Sequence, residues 1–87
     1  MNEELKNITN QVNTSIAALE ALYCELSGLQ ARLGNQMNGY DYLANTDSFS
    51  ISWMMEQISI ANHSIVKSME SVELIQKNLN FMIGEAK

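Results

Sequence analysis

Two proline-free stretches repeat apolar residues every three and four positions, and this repeat limits the possible folds more than any other feature of the sequence. A 3-4 alternation is typical of a helix that packs along one seam. The first stretch therefore predicts a helix over about residues 3–33, with Gly34 just past its end as a C-terminal cap. Its two seam columns are Leu5, Val12, Leu19, Leu26, Leu33 and, beside them, Ile8, Ser15, Leu22, Leu29.

The second stretch predicts a longer helix over about residues 49–84. Residues 34–48 would form the connecting loop, with an Asn38-Gly39 turn signal and Asp47 or Ser48 as the N-cap of the second helix. The predicted fold class is all-α: one domain, residues 1–87, in which two antiparallel helices form a coiled-coil hairpin. The seam columns of the second helix are Ile51, Ile58, Ile65, Val72, Leu79 and, beside them, Met55, Asn62, Met69, Gln76, Ile83.

These columns also predict an alignment of the two helices. In an antiparallel seam, placing Leu19 opposite Ile65 puts Leu22 opposite Asn62. The same alignment puts Ile8 opposite Gln76. Asn62 and Gln76 are thus expected at the seam, where polar residues cost stability but can fix the register.

A third column of the second helix lies about 150° around the helix from the Met55 column, so one partner helix cannot cover both. The back of the first helix carries a row of small residues, which lets another helix approach closely, although alanines also favour a solvated helix face. Packing of bulky rows against small rows predicts a homo-oligomer; a different partner protein is the alternative. The third column is Trp53, Ile60, Lys67, Leu74, Phe81, and the small row is Ala17, Ala21, Cys24, Gly28, Ala31.

Length and composition favour self-association. A lone chain of 87 residues buries only a modest core, and such chains are usually stabilised by disulfides, a metal or assembly. Cys24 and His63 are the only residues of their types, which excludes a disulfide or a Cys/His zinc site within one chain. No cofactor is predicted, and the net charge of −5 argues against direct binding of duplex nucleic acid. We expect no membrane span and no signal peptide, and hence a cytoplasmic protein.

No arrangement of nucleophile and base is visible, so the sequence predicts no catalytic residue and no enzyme. Two features could bind a ligand, each with a purely structural alternative. Lys67 could hold an anion at an assembly interface, or simply lay its stem over apolar surface. A tip cluster of Arg32, Tyr40, Tyr42 and Trp53 could stack a nucleobase and hold a phosphate, or plug the end of the hairpin.

In length and layout the chain resembles the WXG-type hairpins of type VII secretion. However, Trp53 is followed by Met54 and Met55 instead of x-Gly, and residues 80–87 lack a Tyr-x-x-x-Asp signal. The chain also resembles small all-helical phage anti-defence proteins, including anti-CBASS sponges, in size, helical pairing and the Leu26-x-x-Leu29-x-x-Arg32-Leu33-Gly34 helix end.

The second resemblance implies a non-enzymatic oligomer in the host cytoplasm that traps a cyclic nucleotide between subunits. It assigns no functional residue. The alternative function is a protein-interaction module, which could be a secretion partner or an inhibitor that docks on a larger host defence protein.

Overall fold

The computed structural model describes residues 2–39 and 45–85, which form an all-α hairpin. Helix α1 spans Asn2–Gly39 and helix α2 spans Asn45–Glu85. The helices are antiparallel, because Gln76 of α2 donates to Asn13 of α1 (2.6 Å) whereas the earlier Asn62 donates to the later Ser27 (3.1 Å). The molecule measures 65 × 14 × 13 Å. The predicted class, two long antiparallel helices, is confirmed.

Both helices are longer than predicted, and the predicted loop over residues 34–48 is wrong. Helix α1 continues through Gly34 to Gly39, and α2 already begins at Asn45, so Asp47 and Ser48 lie within it. Gly34 is not a helix cap, since no described glycine has a positive φ. Instead, a Cβ atom at Gly34 would lie 3.4 Å from Cε of Met55, so this glycine lets a side chain of α2 pack closely.

The core lies along the predicted seam of α2. Ile58, Ile65 and Leu79 are the buried apolar residues of the part of the chain described, with 7–8% of their surface exposed. The neighbouring α2 column is half-buried throughout: Met55, Asn62, Met69, Gln76, Ile83. Both seam columns of α2 are therefore as predicted.

In the second predicted seam column of α1, Ile8 is half-buried as predicted, but the other three members are not in the seam. Ser15, Leu22 and Leu29 are exposed, whereas Ile16 and Gln30, one position further along, are half-buried. Gln30 Nε2 donates to the backbone carbonyl of Met55 (3.0 Å) and to Ser59 Oγ (2.7 Å). The physical reason is the polar content of the α2 seam: half-buried amides need hydrogen-bond partners. This rotation of α1 supplies them.

The register also differs from the predicted one, by more than one helical turn. Asn62 donates to Ser27 instead of facing Leu22, and Gln76 donates to Asn13 instead of facing Ile8. In both cases the observed residue lies five positions further along α1. The predicted polar seam positions, Asn62 and Gln76, do lie between the helices, and their hydrogen bonds mark the observed register.

Candidate interaction surface

The outer column of α2 is a largely apolar surface that α1 does not cover. We use this name for Trp53, Ile60, Lys67, Leu74 and Phe81, which recur every seven residues on the side of α2 opposite the seam. Its four apolar members expose 54–66% of their surface, and Lys67 at the centre is exposed too. The prediction that α1 cannot cover this column is confirmed.

Two flanks border the outer column along α2, and they differ in charge. Three residues after each of its first four members comes an exposed residue of the charged flank, which contains two acids, a histidine and a lysine. Four residues after each member comes the neutral flank of small or amide side chains. The outer column is therefore an apolar strip whose ionisable neighbours lie along one edge from Trp53 to Lys77. The charged flank is Glu56, His63, Glu70, Lys77, and the neutral flank is Gln57, Ser64, Ser71, Asn78.

A second uncovered apolar surface lies on α1, and the sequence did not predict it. Leu22 and Leu29 expose 44% and 46% of their surface, because α1 turns the neighbouring column towards α2. We call these two residues the groove edge. The available signal was the width of the apolar stripe on α1, which exceeds what one partner helix covers.

The small row of α1 remains uncovered within the chain. All five members are exposed, and a Cβ atom built at Gly28 would meet nothing within 4 Å. Cys24 is a free, exposed thiol beside an apolar depression that also involves Tyr23, Val66 and Met69. Whether another helix packs on this row stays a prediction.

The structure does not assemble the predicted tip cluster from its described members. Trp53 lines an open depression with Phe49, Ser50 and Met54, all from α2. Arg32 is exposed on α1 and does not line this depression. Tyr40 and Tyr42 lie outside the described residues.

The exposed side chains of this surface can make apolar contacts and charge interactions. His63 is exposed on the charged flank, beside an open groove that Asn62 and Ser27 also line. Within residues 2–39 and 45–85, no group of three His, Cys, Asp or Glu side chains lies close enough together to hold a metal ion. Neither described helix is long and apolar enough to cross a membrane.

Comparisons with protein-family models, with curated proteins and with solved structures find no match to this chain.

Proposed function

We propose that this chain is a non-enzymatic binding protein that works as a homo-oligomer in the cytoplasm. Its assembly would cover the outer column and hold a small cyclic-nucleotide signal between subunits, as in a phage-type anti-defence protein. The observation that carries the proposal is the exposure of the outer column, where Trp53, Ile60, Leu74 and Phe81 each leave more than half of their surface uncovered. Exposed apolar surfaces of this extent mark interaction sites.

The dimensions of the chain support a partner. Its radius of gyration is 19.5 Å, compared with about 12 Å for a compact domain of this length. The accessible surface is 6521 Å², whereas a compact monomer of 87 residues exposes about 5,200 Å². The difference is of the size that a protein–protein interface removes from water. A second copy is an economical way to cover it, because homo-oligomers are the common form of soluble assembly.

The ligand part of the proposal rests on Lys67. An ammonium group at the centre of an apolar strip binds anions well once the strip is covered, because the local dielectric falls. Trp53, on the same strip, offers an aromatic face on which a nucleobase can stack. The depressions beside Cys24 and Trp53 are open, so the proposal places a closed ligand site between copies.

Light scattering over a range of protein concentrations tests the assembly. We expect a multimer for the unmodified chain and a monomer for the double variant Trp53→Ser, Phe81→Ser. The matched control is Leu22→Ser, Leu29→Ser, which removes exposed apolar surface from the groove edge instead. A monomeric unmodified chain contradicts the assembly. Dissociation by the control pair alone would assign it to the groove edge.

Thermal shift with cyclic di- and trinucleotides tests the ligand. A ligand that binds only the folded state raises the Tm, and at 100-fold excess over its Kd the gain is about 2.7 kcal/mol. Lys67→Ala should abolish the shift without dissociating the multimer. A stable multimer that responds to no nucleotide in the panel contradicts sequestration and favours the protein-interaction module.

A further inference from the structure

The outer column reads almost the same in both directions from Lys67. Ile60 and Leu74 each lie seven residues from it, and Trp53 and Phe81 each lie fourteen residues from it. A two-fold axis at Lys67 would place a second copy of α2 antiparallel on the column. Each aliphatic residue would then face the aliphatic residue of the other copy, and Trp53 would face Phe81. Two-fold interfaces require such self-complementary patches.

The charged flank has the same symmetry. The antiparallel arrangement places Glu56 within one residue of Lys77 of the second copy, and His63 within one residue of Glu70 of the second copy. Each of these pairs occurs twice. A parallel two-fold arrangement would instead set the charged flank of each copy beside the neutral flank of the other, so neither of these pairs would form. The order of charges along α2 therefore favours the antiparallel orientation.

The size of the strip fits a reversible dimer. From Trp53 to Phe81 the helix rises about 42 Å, and a helix is roughly 10 Å wide, so two copies would bury on the order of 1,000 Å² together. That is near the lower limit of specific interfaces. The neutral flank adds little bulk, because Ser64 meets Ser71 of the second copy and the backbones can approach closely.

We infer that a second copy of this chain covers the outer column, with the two α2 helices antiparallel about a two-fold axis at Lys67. The inference rests on the proposed self-association and deepens it by naming the surface and the orientation. One consequence concerns the axis itself, where two Lys67 ammonium groups meet. Their repulsion weakens the dimer, so Lys67→Leu should tighten self-association about threefold or more.

Cysteine cross-linking in a Cys24→Ser background tests the axis, because a disulfide needs Cα atoms within about 7 Å. Lys67→Cys should form a disulfide-linked dimer on mild oxidation. Ile60→Cys alone should not, because its counterpart is Leu74, whereas a mixture of Ile60→Cys and Leu74→Cys chains should. Glu25→Cys on α1 is the control for random collision.

The outcomes of cross-linking separate this inference from the proposed function. Efficient cross-linking of Ile60→Cys alone indicates a parallel pair and overturns the inference. Failure of Lys67→Cys in a chain that is multimeric by light scattering also overturns it, while self-association stands. A chain that remains monomeric at all concentrations contradicts both.

Charge reversal tests the flank independently. Glu56→Lys and Lys77→Glu should each weaken the dimer about three- to tenfold, since each puts two pairs of like charges together. The double variant Glu56→Lys, Lys77→Glu should restore the original Kd. Glu20→Lys on α1 changes the net charge equally and should leave the Kd unchanged. Equal weakening by Glu20→Lys, or no recovery in the double variant, contradicts the pairing.

Discussion

The two faces of α2 carry similar apolar side chains in opposite surroundings. Ile58 and Ile65 on the seam expose 7% and 8% of their surface, whereas Ile60 on the outer column exposes 54%. Both columns recur every seven residues along the same helix, so α2 itself does not distinguish them. The difference arises because α1 covers one side of α2 and nothing within the described chain covers the other. One apolar column of α2 is therefore directed outwards, and two face α1.

The largest effect on stability is expected from a substitution at the seam, compared with the same substitution on the outer column. Ile65→Ala removes buried methyl groups and leaves a cavity between the helices, which typically costs 2–5 kcal/mol; we expect about 2–3 kcal/mol here because the core is thin. Ile60→Ala should cost less than about 1 kcal/mol in dilute solution, where its side chain is exposed to water. Urea unfolding followed by circular dichroism measures both values.

Protein concentration should change the stability costs of these two variants differently. If a second copy covers the outer column, the cost of Ile60→Ala increases with concentration, because dimerisation then contributes to stability. The cost of Ile65→Ala changes much less, since its contacts lie within one chain. Equal, concentration-independent costs for the two variants contradict a covered outer column.

The sequence predicts α2 better than α1, for a physical reason. Both seam columns of α2 are correct because β-branched and long apolar residues recur there without a competing alignment. Helix α1 offers two possible second columns beside its leucines, and apolar periodicity favours the one with Leu22 and Leu29. Hydrogen bonding favours the other column: in the observed rotation Gln30 and Ser27 both bind partners on α2.

The exposed surfaces show the same contrast. The outer column could be predicted, because no rotation of α1 covers the side of α2 opposite the seam. The groove edge could not, since its exposure follows from the rotation of α1. The helix ends were missed because Gly34 resembles a cap in sequence, whereas it serves the close packing of Met55.

A smaller effect is expected at Asn62, the polar residue in the middle of the seam. Its Nδ2 donates to Ser27 Oγ, but its Oδ1 is buried without a hydrogen-bond partner. Asn62→Leu removes this unsatisfied acceptor and adds apolar contacts, so we expect a gain of about 1 kcal/mol. For a domain of this size, that gain raises the Tm by about 4–8 °C.

Ser27→Ala is the matched control, and it should act in the opposite direction. It removes the same hydrogen bond but keeps the Asn62 amide in the seam, so Nδ2 loses its acceptor. We expect a cost of about 0.5–1.5 kcal/mol. If Asn62→Leu instead lowers the Tm, the amide stabilises the observed register by more than its unsatisfied Oδ1 costs. In that case the seam depends on polar pairing more than on apolar burial.

The smallest effects are expected at Gly28 and Gly34 in the interior of α1. These two positions extend the comparison of covered and uncovered surfaces to this helix. Alanine favours a helix interior over glycine by about 1 kcal/mol. Gly28→Ala should gain most of that, since its Cβ meets nothing within 4 Å. Gly34→Ala should gain less, a few tenths of a kcal/mol, because its new Cβ would lie 3.4 Å from Cε of the flexible Met55 side chain, at the short end of ordinary contact. Thermal unfolding at low concentration measures both gains, and light scattering at high concentration shows whether the small row is an interface. A Gly28→Ala variant that is more stable as a monomer but associates less would mean that another helix packs on the small row.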